Sequence, residues 1–222
     1  MLKGVIFDID GTLVDSNDAH AESWADTFAQ AGYDVPFAVV RPLIGMGADK
    51  LLPRTIGVSS ESEIGKRLTE LRSEIFRKQY LPRLRPLKGS RELVLRVRAD
   101  GLKAIVATSA KDKQLKGLLE AAEVEDLMEE KATSSDAKRS KPDPDIVHAA
   151  IEESKIPPTQ LVMIGDTPYD IEAAAKARVS TIAFRSGGWK DADLKGAAEI
   201  YDGPADLLAQ YDSSLIKRAQ AT

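Results

Sequence analysis

VIFDIDGTLVDS, residues 5–16, begins as an apolar run and then sets two aspartates, Asp8 and Asp10, one residue apart. Residues 5–9 have the length and near-continuous apolar character of a strand buried on both faces, and Gly11 marks the turn that ends it. Two neighbouring carboxylates repel each other, so the pair needs a reason. A purely structural reading exists, because Asp10-Gly11 favours a tight β-hairpin turn. It leaves Asp8 unexplained, and the second arm, Leu13 and Val14, is short.

Working outward, residues 102–108, 130–133, 161–164 and 179–184 read as four more short buried strands. Helical patterns lie between them: 90–98 ahead of Gly101, 113–122 with Leu115, Leu118 and Leu119, and 145–153 just after Pro144. The alternation implies an α/β fold, a doubly wound Rossmann-like parallel sheet with right-handed crossovers. Between residues 15 and 86 no strand is legible, and the interval is too long for one crossover. Helices are expected over 17–31, closed by Gly32, and over 37–42, 50–56 and 61–80. In the last, Ile64, Leu68, Leu71 and Ile75 recur at helical spacing and are expected to bury against neighbouring helices. The expected organisation is a core of residues 1–15 and 86–222 with an inserted α-helical cap domain over 16–85. Its exit, LPRLRPLKG (81–89), suits a hinge, and the last ten residues are expected to fray.

Composition narrows the functional classes. The chain has 222 residues, 43% hydrophobic and 30% charged, as in an ordinary globular protein. Lys and Arg number 31 against 35 Asp and Glu, with no basic block to track a phosphate backbone, so nucleic acid is not an expected partner. Cysteine is absent, which removes disulfides and thiolate metal sites. MLKGVIFDID is too short an apolar start for a signal peptide, and no run approaches a membrane span, so a cytoplasmic protein without a membrane partner is expected. Nothing in the sequence sets an oligomeric state.

Ligands of open parallel sheets bind beyond the carboxyl ends of the strands. Four polar clusters fall at or after such ends: Asp8 with Asp10, Thr108 with Ser109, Lys141 in SKPDPD (140–145), and Asp166 with Asp170 in GDTPYD (165–170). Each alone has a structural alternative. Thr108 could cap a helix, Lys141 could sit in a solvated turn held extended by Pro142, and Thr167, Pro168 and Asp170 fit an acidic capping box. Together they suggest more. Carboxylates meeting at one sheet edge need a cation among them, and hard oxygen ligands suit Mg²⁺. A lysine and a hydroxyl beside that metal supply donors for a phosphoryl group. One aspartate can then attack phosphorus while the other handles the leaving-group proton.

On DIDGT (8–12), Thr108, Lys141 and GDTPYD, in this order over nearly the whole chain, the sequence resembles the haloacid dehalogenase superfamily, and the helical insertion resembles its C1 cap. The resemblance implies Asp8 as the nucleophile that forms an aspartyl-phosphate and Asp10 as general acid/base. It implies that Thr108 and Lys141 hold the phosphoryl oxygens, with Ser109 as the substitute for Thr108. Asp8, the Asp10 carbonyl and Asp166 would ligate Mg²⁺, with Asp170 in support.

Asp10 also separates branches of that superfamily. Dehalogenases and phosphonate-cleaving relatives lack the second aspartate, so phosphate ester chemistry is implied, on a small phosphorylated metabolite. A phosphatase is the reading adopted, since Thr12 follows Gly11 as in the phosphatases. A sugar phosphomutase similar to β-phosphoglucomutase is the alternative, suggested by DSNDAHAESW (15–24) with His20 and Trp24. A third reading is a phosphate-binding protein without turnover. His20 reads as a hinge-side or surface histidine and His148 as a plain helix residue. Gly11, Ser109, Gly45 and Lys50 are candidate substrate contacts. In the loop RPLIGMGADK (41–50), Gly45 and Gly47 allow close approach, while Arg41, Lys50 and Arg54 are candidate grips on a second anionic group. RSGGW (185–189) is expected at the rim.

Overall fold

In the computed structural model, which describes residues 1–110, 112–128 and 130–221, the first apolar run forms β1 (Gly4–Phe7), and all four of its residues are buried. The helical segment follows as α1 (Asn17–Gln30), α2 (Phe37–Val40), α3 (Ala48–Ile56) and α4 (Glu63–Ile75). After it come α5 (Ser90–Ala99), β2 (Lys103–Ala107), α6 (Asp112–Ala121), β3 (Glu130–Ala132), α7 (Asp145–Ser154), β4 (Leu161–Gly165), α8 (Pro168–Lys176) and β5 (Ser180–Phe184). The chain closes with β6 (Glu199–Tyr201), α9 (Pro204–Ala209) and α10 (Leu215–Ala221), none of which the apolar pattern announces.

The strands form one parallel sheet in the order β3-β2-β1-β4-β5-β6. Side chains alternate across it. Val5 and Phe7 join Val106 and Ile164 in one apolar cluster with Leu93, Leu118 and Leu207, while Ile6 joins Ile105 and Met163 in another against Ile146, Val147 and Ala174. Covering on both faces is what near-continuous apolar strands require. The sheet grows from β1 through β2 to β3, then crosses back to place β4 on the other side of β1. The resulting crevice lies beyond Phe7 and Gly165, where the crossovers part.

The helical segment has its own apolar cluster, built from Ala21, Trp24, Phe28, Val40, Leu51, Leu52 and Leu68. Its entry and exit segments run together: Asp15 N–H donates to the Arg85 carbonyl at 3.0 Å and Leu87 N–H to the Leu13 carbonyl at 3.0 Å. The inward face of α4 differs from the leucine pattern. Ile64 is 50% exposed, whereas Gly65, Leu68, Arg72, Ile75 and Phe76 turn inward or sit against the neighbouring helices, because Ser62 caps the helix through the Gly65 amide and Gly65 packs on the Ser59 carbonyl. Residues 76–80 continue as a π-helical turn.

Up to residue 221 the end of the described chain is not frayed, and residue 222 lies outside the described residues. Ile216 is fully buried, and the Leu2 amide donates to the Ala219 carbonyl at 2.8 Å, so α10 closes over the first strand. Among the described residues no helix is long and apolar enough to cross a membrane.

Candidate active site

Three strand ends and one loop build the site. Asp8 follows β1, Thr108 follows β2 and Asp166 follows β4, while Lys141 arrives from the connection between β3 and α7. Lys141 is 1% exposed, far from a solvated turn. Its Nζ donates to Asp8 Oδ1 at 2.7 Å and to Asp170 Oδ1 at 2.6 Å. Burial alone would lower the lysine pKa, but the two carboxylates outweigh it and hold the ammonium above its ordinary value. A buried lysine so paired is positioned and charged at neutral pH.

Asp170 serves two structures at once. Thr167 and Asp170 cap α8 reciprocally: the Asp170 amide donates to Thr167 Oγ1 at 3.2 Å, and Asp170 Oδ2 accepts from the Thr167 amide at 3.0 Å and hydroxyl at 2.6 Å. Asp166 accepts from Thr12 Oγ1 at 3.1 Å and from Asn17 Nδ2 at 2.7 Å. Close approach here depends on glycine. Gly11 holds φ +72°, and a methyl group there would overlap the Asn17 amide and the Asp166 carboxylate. The turn after β1 is therefore a packing device for the site and not a hairpin.

Oxygens from Asp8, Asp166 and Asp170 lie within 4.8 Å of one another. Three buried carboxylates share one ammonium. Burial and the neighbouring aspartates raise Asp8 well above the carboxylate range, and burial and Asp170 push Asp166 up to about 7. Buried, all-oxygen and short of positive charge, this set fits a hard divalent cation. Both oxygens of Asp170 and both of Asp166 already have hydrogen-bond partners, so among the described residues Asp8 Oδ2 is the one carboxylate oxygen of the set left free.

Asp10 faces a different environment. Its Oδ1 accepts from Ser16 Oγ at 2.6 Å and lies 2.6 Å from His20 Nε2. Arg72 Nη2 donates to His20 Nδ1, so Nδ1 is the acceptor and Nε2 carries the hydrogen that reaches Asp10. His20 is buried and stacks on Phe76, with centroids 4.3 Å apart and planes 7° apart. Arg72 in turn lies over Phe76 and Trp24, 4.7 and 5.6 Å from their centroids. Burial raises the Asp10 pKa, but His20 and Ser16 outweigh it and leave the carboxyl below its usual range. Burial and Arg72 depress His20, which stays neutral at pH 7. Burial also pulls Arg72 down, to about 10. His20 is thus neither a surface residue nor idle: it orients Asp10. Its position on the face shared by Asn17, Trp24 and Phe28 of α1 was the available signal.

These groups open on one cavity of about 410 Å³ between the sheet edge and α1, α3 and α4. Asp8, Asp10, Gly45, Thr108, Ser109 and Lys141 line it; Gly11, Asp166, Asp170 and Lys50 do not. Thr108 Oγ1 accepts from the Ala110 amide at 3.1 Å, which leaves its hydroxyl hydrogen to donate elsewhere. The cations flagged around the 41–50 loop sit on the seam with the sheet domain or within their own segment. Lys50 Nζ bonds Asp143 Oδ2 at 2.6 Å, Arg41 bonds Asp18 at 2.6 Å and the Gly187 carbonyl at 2.9 Å, and Arg54 contacts Met46 Sδ. RSGGW is behind the site and not at its rim: Ser186 Oγ donates to the Gly11 carbonyl at 2.6 Å, and a methyl on Gly187 would overlap Asp166.

With this geometry in view, the chain matches the haloacid dehalogenase-like hydrolase family over residues 5–184. It belongs to that family. This family member is 28% identical over 219 residues to a phosphoglycolate phosphatase of Rhodospirillum rubrum, covering 93% of this chain and 90% of the relative. It is also 28% identical over 218 residues to the N-acetylmuramic acid 6-phosphate phosphatase of Pseudomonas aeruginosa, covering 96% of each. Among solved structures it is similar to a hydrolase from Pseudomonas syringae, with TM-score 0.86 and 27% identity over 95% of this chain and 98% of the other. Each named relative carries its own activity; the shared property is a family of hydrolases to which this enzyme belongs.

Proposed function

We propose that the protein is a Mg²⁺-dependent phosphatase of small phosphomonoesters that works through an aspartyl-phosphate on Asp8. The observation that carries this reading is the division of labour between the two aspartates. Asp8 has one oxygen on the Lys141 ammonium, and its other oxygen accepts no hydrogen bond among the described residues. Asp10 is held beside the cavity by Ser16 and His20.

In this reading the free Asp8 oxygen attacks phosphorus, the bond to the ester oxygen breaks, and Asp10, an anion before the ester binds, relays to the departing alcohol the proton that a monoanionic phosphomonoester brings with it. Asp10, again ionised and stabilised by His20 and Ser16, takes a proton from water, whose oxygen attacks the phosphoryl group and releases Asp8 and inorganic phosphate. Thr108 and Lys141 hold the phosphoryl oxygens throughout. Mg²⁺, held by Asp8, Asp166 and the Asp10 carbonyl with Asp170 in support, would neutralise the anionic phosphoryl group so that a carboxylate can approach it. Residues 16–85 act as a cap closing on a core of 1–15 and 86–222, which excludes water and selects the leaving group.

Hydrolysis is favoured over the mutase alternative because a mutase needs a cap grip for a distal phosphate, and Arg41, Lys50 and Arg54 have other partners. The test is phosphate release from a panel of phosphomonoesters with Mg²⁺, run beside β-glucose 1-phosphate with a trace of its 1,6-bisphosphate. Release of phosphate without a bisphosphate requirement is expected. Glucose 6-phosphate forming much faster than phosphate would make the protein a mutase, and no turnover of any ester would make it a binding protein.

A further inference from the structure

Gln114 stands in the first turn of α6, is 7% exposed, and has a side-chain nitrogen that is shielded from solvent and has no hydrogen-bond partner. A buried amide donor left unpaired costs roughly 1–3 kcal/mol, so such groups are rare without a reason. Six side-chain atoms share this condition among the described residues, and only two belong to the cavity lining: Gln114 Nε2 and Ser109 Oγ. Both therefore stand unpaired on the cavity that Asp8 also lines, on the segment that begins at Thr108.

We infer that Gln114 is a substrate-binding residue that donates through Nε2 to an oxygen of the leaving group, and so selects esters whose alcohol carries further hydroxyl, carbonyl or carboxylate oxygens. The inference rests on the phosphatase reading and adds to it the class of alcohol. The transferring phosphoryl group already has its donors in Lys141 and Thr108. A neutral amide adds no charge and makes a directional bond, which suits an uncharged or anionic oxygen held at a fixed place. The surroundings agree. Ser134 beyond β3 and Thr69, Glu70 and Ser73 of α4 line the same cavity beside apolar residues such as Trp24 and Ile146, so polar groups that could hold further oxygens of an alcohol stand among the walls. An alkyl leaving group there would leave the amide unpaired in the bound state as well, which is how a polar site rejects an apolar analogue.

The experiment compares glucose 6-phosphate with n-hexyl phosphate, similar in length but unlike in oxygen content, using the Mg²⁺-loaded full chain and its Gln114→Met variant, which keeps the side chain's length without its donors. The readout is the ratio of kcat/KM for the two esters. Gln114→Met is expected to lower that ratio about tenfold or more; a ratio within twofold of wild type overturns the inference, including the case in which both esters slow equally. Calorimetric binding of both esters to Asp8→Asn protein, with and without Gln114→Met, repeats the comparison without turnover. If wild type hydrolyses neither ester, the phosphatase reading fails for them, and the ratio of binding constants still decides Gln114: a tenfold change sustains it, and an unchanged ratio or no binding overturns it.

Discussion

On the sheet side of the cavity Asp8, Lys141 and Asp170 are buried and joined through the Lys141 ammonium, with Asp166 buried near them on Thr12 and Asn17, whereas Arg41, Lys50 and Arg54 of the helical segment bond to residues outside this cluster and are at least partly exposed. The first group consists of charges that cannot be satisfied by water, so each needs its partner in place. The second consists of charges that water could serve nearly as well. Charge alone is thus a poor guide to function here, and burial separates the two groups. The segment's contribution to the chemistry comes instead from its inward faces, through His20 and Arg72.

The comparison predicts steeply graded effects. Asp8→Asn removes the nucleophile and should lower kcat by on the order of 10⁴-fold or more, with far-UV circular dichroism unchanged, because amide and carboxylate have the same shape. Residual turnover within tenfold of wild type would assign the attack to another group.

The acidic set gives the next effect. Without metal, Asp166 is raised to about 7 from an ordinary 3.8, so the folded state binds its proton more tightly than the unfolded state does. That contribution to stability is full below pH 3.8 and is lost as pH rises through about 7. Metal-free protein should therefore melt at lower temperature at pH 8 than at pH 6. Mg²⁺ should raise the melting temperature more at pH 8, since its binding displaces the proton. Chelation should abolish activity at both pH values. Equal stabilisation by Mg²⁺ at both would mean the metal does not meet the Asp166 carboxylate.

Arg72 tests the other side of the cavity. Arg72→Met removes the donor that fixes the His20 tautomer and should reduce kcat about 10- to 100-fold. Arg72→Lys should recover much of the loss. A structural role alone would lower the melting temperature without moving the pH profile of kcat, whereas loss of the donor should shift its acid limb, because Asp10 is then held less firmly as an anion.

Legibility in the sequence followed the same division. Asp8, Thr108 and Asp166 could be found because strands are short, apolar and end abruptly, so polar residues at their ends stand out, whereas Lys141 lies well past β3 and was legible only from its place before Pro142 in SKPDPD. β6 has three residues at the sheet edge, and α9 and α10 owe their place to partners distant in sequence, such as the Leu2 amide on Ala219. Arg72 was hidden by the Ile64, Leu68, Leu71, Ile75 spacing, which set the inward face of α4 slightly off and left a half-buried arginine among the polar residues. Asn17 reads as an ordinary helix start, and only the fold brings it to Asp166. Gln114 carries no sequence signal, because nothing in the chain says which glutamine will lack a partner.

Lys50 should produce the smallest effect. The seam position and the sequence expectation of a substrate contact make opposite demands on it. Bonded to Asp143 at the edge of the cavity, it keeps both side chains partly in water, at 27% and 18% exposure, and a pair of that kind stabilises by about 1 kcal/mol or less. The Asp143 carboxyl is held below its usual range by the Lys50 hydrogen bond, so the contact belongs to the pair and not to a ligand. Lys50→Ala should then change KM by no more than about twofold and lower the melting temperature only slightly, and Asp143→Ala should do the same. The double variant should be no worse than either single one, since each removes the same bond. A substrate contact would behave otherwise: KM would rise at least tenfold for Lys50→Ala alone, while Asp143→Ala, by freeing the ammonium, would leave KM unchanged or lower it. Measuring KM for the three variants on one ester separates a seam from a binding site.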